Sequence, residues 1–95
     1  PESHLEVVKE AAFEAGAGHI GIYDRCCWQV LGRGQFRPLD GSDPYAGDKG
    51  QLETIDEWKV EMVCDDERIR RVIKAMKDAH PYEEVAYDVV KLEPC

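Results

Sequence analysis

The sequence predicts one small α+β domain, and three observations carry that expectation. Two amphipathic runs, near the start of the chain and at 66–79, have helical spacing. The segments between and after them read as extended, and 95 residues leave room for a single core.

Ser3-His4-Leu5-Glu6 has the form of a capping box, in which serine accepts from a free helix N–H and glutamate reaches back. Leu5, Val8, Ala12 and Ala15 then share a stripe flanked by Ala11 and Phe13, and Gly16 and Gly18 end the run. A helix over about 3–15 follows. Cys26–Leu31 and Gly34–Leu39 read as two arms around Gly32-Arg33-Gly34, a hairpin over about 26–39 with positive φ at its glycine tip. Residues 40–51 are rich in Gly, Asp and Pro without periodicity, which predicts a loop of functional length.

Trp58, Val60, Met62 and Cys64 alternate with Lys59, Glu61 and Val63, so a strand over about 52–64 buries one face. Asp65 and Asp66 offer N-cap oxygens to a helix over about 66–79 whose core stripe is Ile69, Val72, Ile73 and Met76. Within it Glu67 is spaced to pair with Arg71. Residues 85 to about 93 read as the last strand, with Tyr87 and Val89 opposite Ala86, Asp88 and Val90.

The order helix, hairpin, strand, helix, strand is a ferredoxin-like βαββαβ pattern without its first strand. That strand is normally central, and its absence would leave ladder groups unpaired. The expectation is therefore that about five to seven apolar residues precede Pro1, or that another subunit supplies the strand.

Twelve basic against 20 acidic residues give a net charge of −8, which argues against nucleic acid as a partner and reads as solubility or attraction for cations. Cys26, Cys27, Cys64 and Cys95 fit neither a disulfide framework nor a CxxC zinc pattern, which points to a reducing cytoplasm, with Cys95 as a tail residue. No apolar run approaches the roughly 18 residues of a membrane span, and no signal-like start is present.

His80-Pro81-Tyr82-Glu83-Glu84 gathers an imidazole, a phenol and two carboxylates at one junction. Pro81 stops the preceding helix and biases His80 to an extended backbone, while the helix end favours protonated His80. The structural reading is a helix stop with a satisfied histidine, Tyr82 at a core edge and two solvated glutamates. The functional reading joins His80 to one glutamate in a metal or hydrogen-bonding site. Adjacent glutamates on a strand face opposite ways, so only one joins easily. His4, His19 and the cysteines have no diagnostic spacing to it.

Vicinal Cys26-Cys27 suggests a soft metal, but a regular strand sends the two thiols to opposite sides, and buried thiols are commoner than ligands. Arg33 and Arg37 beside two glycines could hold an anion, although a hairpin tip is the favoured reading. Trp28, Phe36 and Trp58 read as sheet packing. Ser3 and Ser42 are the only serines, and no carboxylate pair stands apart from surface charge, so catalysis is not expected.

Gly16-Ala17-Gly18-His19-Ile20-Gly21 leading to Tyr23-Asp24, Gly32 through Leu39, Glu57-Trp58-Lys59-Val60-Glu61 and His80 through Asp88 together carry a resemblance. In this ordered combination the chain resembles YqfO-type proteins, which in turn look like the PII-like, CutA-like domain of the NGG-interacting factor three (Nif-three-like) family. Val85 stands where a proline is common in that family's HPYEEPAYD motif. The resemblance implies a ferredoxin-like fold with two helices on one face of an antiparallel sheet, and a strand before Pro1. It also implies assembly through the sheet as a dimer or trimer, with the region from about Leu31 to Glu57 serving ligands or partners.

The expected function is a small non-catalytic cytoplasmic module that regulates or binds, recognising a small molecule or a protein without nucleic acid or membrane. His80, Tyr82, Glu83, Glu84, Arg33 and Arg37 are its candidate ligand residues. The alternative is a CutA-like protein binding a divalent metal ion through His80 with Glu83 or Glu84, and Cys27.

Overall fold

The computed structural model describes residues 1–94. Cys95, expected as a tail residue, lies outside the described residues. A 3-10 turn, Glu2–His4, leads into helix α1, Leu5–Glu14. Strands β1, Trp28–Phe36, and β2, Glu53–Glu61, follow, and a 3-10 turn at Asp66–Arg68 opens helix α2, Ile69–Ala79.

The capping box does not form. No side chain caps α1. The leading turn closes instead through the His4 N–H on the Pro1 carbonyl (3.1 Å), and Ser3 Oγ lies 2.8 Å from His4 Nδ1. Past α1 the two glycines behave as the sequence predicts, with φ of 118° at Gly16 and 86° at Gly18.

The expected hairpin around Gly32-Arg33-Gly34 is corrected by the register. β1 runs unbroken through those glycines and pairs antiparallel with β2 from Trp28↔Glu61 to Phe36↔Glu53, which places Gly32 opposite Glu57 and Gly34 opposite Ile55. Neither glycine has positive φ. A Cβ on Gly34 would lie 2.7 Å from Cδ of the flexible Glu57 side chain, which would shift to admit it. The true connection is the loop 37–52, pinned at its neck by the Gly50 N–H on the Pro38 carbonyl (2.7 Å).

The core is small and lies between the helices. Ala12, Ala15 and Ala17 meet Val72 of α2, with Met62, Cys64 and Ala75 packed against them. Small side chains on α1 let the helices approach closely, and Arg71 Nε donates to the Ala15 carbonyl (3.0 Å), so one of the acceptors that α1 leaves open at its end is satisfied. That contact takes Arg71 away from the expected pairing with Glu67. Ion pairs along this segment instead join Asp65 to Arg68 at 3.9 Å and Lys74 to Asp78 at 2.7 Å.

Residues 85–93, expected as the last strand, form no ladder among the described residues. A strand is stable only beside a neighbour, and the sheet consists of β1 and β2 alone. Val89, Val90 and Leu92 are more than half exposed, and so is Trp28, expected to pack on the sheet. The surface totals 7,493 Å², whereas a monomer of 10.8 kDa folds to about 5,500 Å². The radius of gyration, 14.8 Å, likewise exceeds the roughly 12 Å of a compact chain this long. No helix among the described residues is long and apolar enough to cross a membrane.

Candidate functional site

The junction after α2 is where the chain brings distant polar groups together. His80 has φ −83° and ψ 139°, the extended backbone that the following proline imposes. This turn lets the Tyr82 N–H donate back to His80 Nδ1 (3.1 Å), with the two rings 4.8 Å apart. Because Nδ1 accepts, the ring carries its proton on Nε2.

Three further segments converge on Tyr82. Its hydroxyl donates to Glu57 Oε2 of β2 (3.2 Å). Tyr45 of the loop lies 6.1 Å from its ring, and His4 meets Tyr45 edge-on at 5.6 Å and 84°. Glu83 Oε1 accepts the Asp43 N–H of the same loop (2.7 Å). Glu84 is exposed and borders an open groove of about 210 Å³ with Lys77, Val85 and Tyr87. Both glutamates border this groove, in a bend rather than a strand, and Glu83 alone also reaches the loop.

Burial first, then the charge and hydrogen bond of Glu57 and the nearby Tyr45, push the Tyr82 phenol up to about 12. A raised acid favours its neutral form in the fold. This contribution to stability is complete below pH 10 and is lost as the pH rises toward about 12. Ultraviolet titration should therefore show a phenol still protonated at about pH 11. That component should vanish in Tyr82→Phe and move down in Glu57→Gln; an unchanged titration in both variants would contradict the assignment.

His80 moves opposite to the sequence-based expectation. Burial lowers its pKa, the positive N-terminus and His4 add to the effect, and Glu57 opposes them. The preceding helix end therefore does not decide its charge, and the ring is held neutral as an acceptor.

Arg33 and Arg37 do not join this cluster. Arg33 lies in mid-strand with Nε 3.7 Å from Asp56 Oδ1, its cross-strand neighbour, and both side chains are exposed. It borders a groove of about 310 Å³ that also includes Glu57, Trp58 and Lys59. Arg37 is exposed just beyond β1. Cys26 and Cys27 are half-buried free thiols ahead of β1, and burial pushes the Cys64 thiol up. Among the described residues, no three His, Cys, Asp or Glu side chains converge as a metal would need. His80, Glu83, Glu84 and Cys27 accordingly form no such group among the described residues.

Sequence reasoning missed Glu57, Tyr45, His4 and the role of Gly34. Tyr45 carried a signal, as an aromatic residue inside a Gly/Asp/Pro loop. The other three depend on long-range pairing that no local pattern reveals.

The chain is similar over nearly its whole length to parts of known proteins. No family model matches the chain. It is 48% identical over 94 residues to a Mycobacterium leprae protein named "GTP cyclohydrolase 1 type 2 homolog", matching 99% of this chain and 24% of that one. A Bacillus subtilis protein of the same name is 45% identical over 93 residues, matching 98% and 25%. Among solved structures, a crystal structure of a Bacillus cereus protein related to NIF3 superposes with a TM-score of 0.84 at 46% identity, covering 99% of this chain and 24% of that one. The class is thus a unit found within NIF3-related proteins. The chain is similar over nearly its whole length to part of these NIF3-related proteins and spans about a quarter of the length of the curated relatives it matches.

Proposed function

We propose that this unit is a small cytoplasmic regulatory or binding module, non-catalytic and homo-oligomeric, that meets a small molecule or protein through the loop 37–52 and the His80–Glu84 junction. The observation that carries this reading is the uncovered surface. The excess of roughly 2,000 Å² over a closed monomer is more than the roughly 800 Å² that each partner buries in a standard interface. Its apolar content includes Trp28, Val30 and Leu31 of β1 and Tyr87, Val89, Val90 and Leu92 of the tail. A second copy of the chain is the cover this reading assigns, in keeping with the acidic charge of −8, which suits neither nucleic acid nor an anionic membrane surface.

Light scattering of the whole protein at micromolar concentration tests the assembly. A dimer or trimer supports it, and a strict monomer assigns the cover to the rest of the same polypeptide and overturns the oligomeric part. Incubation of the whole protein with GTP, the compound in its relatives' names, tests the non-catalytic part. Turnover that falls at least about tenfold in Glu57→Gln, or about 1.4 kcal/mol of barrier, would place chemistry in this unit and overturn the reading.

A further inference from the structure

We propose that the loop 37–52 is a strap docked in cis on the His80–Glu84 junction, with the Tyr45 ring as its plug and the Glu83 carboxylate as its latch. Its purpose rests on the binding-module reading above, since that loop is the segment assigned to meet a partner. The docking itself stands on geometry alone.

Most of the loop's hydrogen bonds are local and give it shape without attaching it to anything. Gly50 N–H reaches Pro38 O (2.7 Å), Ser42 N–H and Oγ both donate to Leu39 O (3.1 and 2.6 Å), and Gln51 N–H reaches Asp48 O (3.1 Å). Two attachments reach across the fold instead. The Asp43 N–H donates to Glu83 Oε1 at 2.7 Å, and two residues on Tyr45 sits between the rings of His4 and Tyr82. Pro44, between them, has no N–H to place. The seat accordingly reads one backbone donor and one ring, the chemistry that Asp43-Pro44-Tyr45 supplies.

The strap is also built to lift. Gly41 and Gly50 have φ of 89° and 78° with open space at the Cβ position, and they bracket the docked segment like hinges. Tyr45 is still half exposed, and the flanking Leu39 and Leu52 are more so. Lifting would uncover the Tyr82 ring with the Glu57 carboxylate bound to its hydroxyl, and would free the Glu83 carboxylate. An incoming aromatic segment with a free N–H two residues before the ring would compete for that seat.

Amide hydrogen exchange on the full chain tests the docking without any ligand. Residues 42–46 should exchange about threefold or more faster in Glu83→Gln and in Tyr45→Ala than in wild type. They should stay slow in Tyr45→Phe, which keeps the ring, and in Glu84→Gln, which lies outside the latch. Exchange in α1 and α2 serves as the control for folding. If Glu83→Gln disturbs the helices, the contrast between Tyr45→Ala and Tyr45→Phe decides. Equal exchange in wild type and Tyr45→Ala, or equal effects of Glu83→Gln and Glu84→Gln, would overturn the strap. Turnover or a monomer in the experiments on function would remove its purpose and leave the docking intact.

Discussion

Gly18→Ala is expected to destabilise the unit by about 3 kcal/mol, from left-handed strain and steric overlap together. Gly18 knits three parts of the chain: its N–H donates to the Val63 carbonyl just beyond β2 (2.7 Å), and its carbonyl accepts the Cys26 N–H ahead of β1 (2.8 Å). Both bonds depend on the positive φ of 86° at this residue. An alanine there takes on left-handed strain, and its Cβ would also lie 2.8 Å from two carbons of the Phe13 ring and 3.0 Å from the Cys26 carbonyl oxygen. For a unit of this size, 3 kcal/mol corresponds to a fall in Tm of about 12–24 °C. Urea unfolding of the two proteins measures it. Gly21→Ala is the control, because Gly21 has φ 58° but nothing near the Cβ position, so only the backbone cost of about 1–2 kcal/mol applies. Equal losses at the two positions would refute the close-approach argument.

The second large effect is expected at Val72, the α2 side chain that meets the three alanines at the end of α1. Val72→Asp should lower stability at pH 7 by about 3 kcal/mol or more, since the new carboxylate gains no partner for the apolar contact it removes. Burial raises the folded-state pKa of such a carboxyl above its unfolded value of about 3.9. Its neutral form is therefore the tolerated one. The variant should recover part of its stability as pH falls toward about 4 and lose it again as pH rises. Val7→Asp on exposed α1 surface should change stability by no more than about 0.5 kcal/mol. A flat pH dependence for Val72→Asp, or a loss as large at Val7, would show that the helix contact is not the core.

Local signals in the sequence revealed the elements whose causes are local. α1 and α2 were readable because Ala12, Ala15 and Val72 recur at helical spacing and Gly16 and Pro81 punctuate the ends. β2 was readable because Trp58 and Val60 alternate with charge. Gly32-Arg33-Gly34 misled because glycine has two uses: a turn residue, and a gap for another side chain. Here β1 runs on through both glycines, and Glu57 becomes neighbour to Gly34 only through the pairing with β2. The site followed the same division. The His80–Glu84 junction was visible as a cluster of polar types, whereas Glu57, Tyr45 and His4 come to it from 25 or more residues away. The balance of burial, the N-terminus and His4 against Glu57, which lowers the His80 pKa, likewise needs the packed fold.

The unpaired tail has a practical consequence for handling the unit by itself. Val85 to Leu92 offers a run of β-branched and aromatic residues with no ladder partner, the composition from which edge-to-edge stacking and fibres grow. Asp88 and Lys91 interrupt that run and act as gatekeepers against it. Neutralising either would trade solubility for aggregation during expression, although neither side chain supports the fold in any direct way.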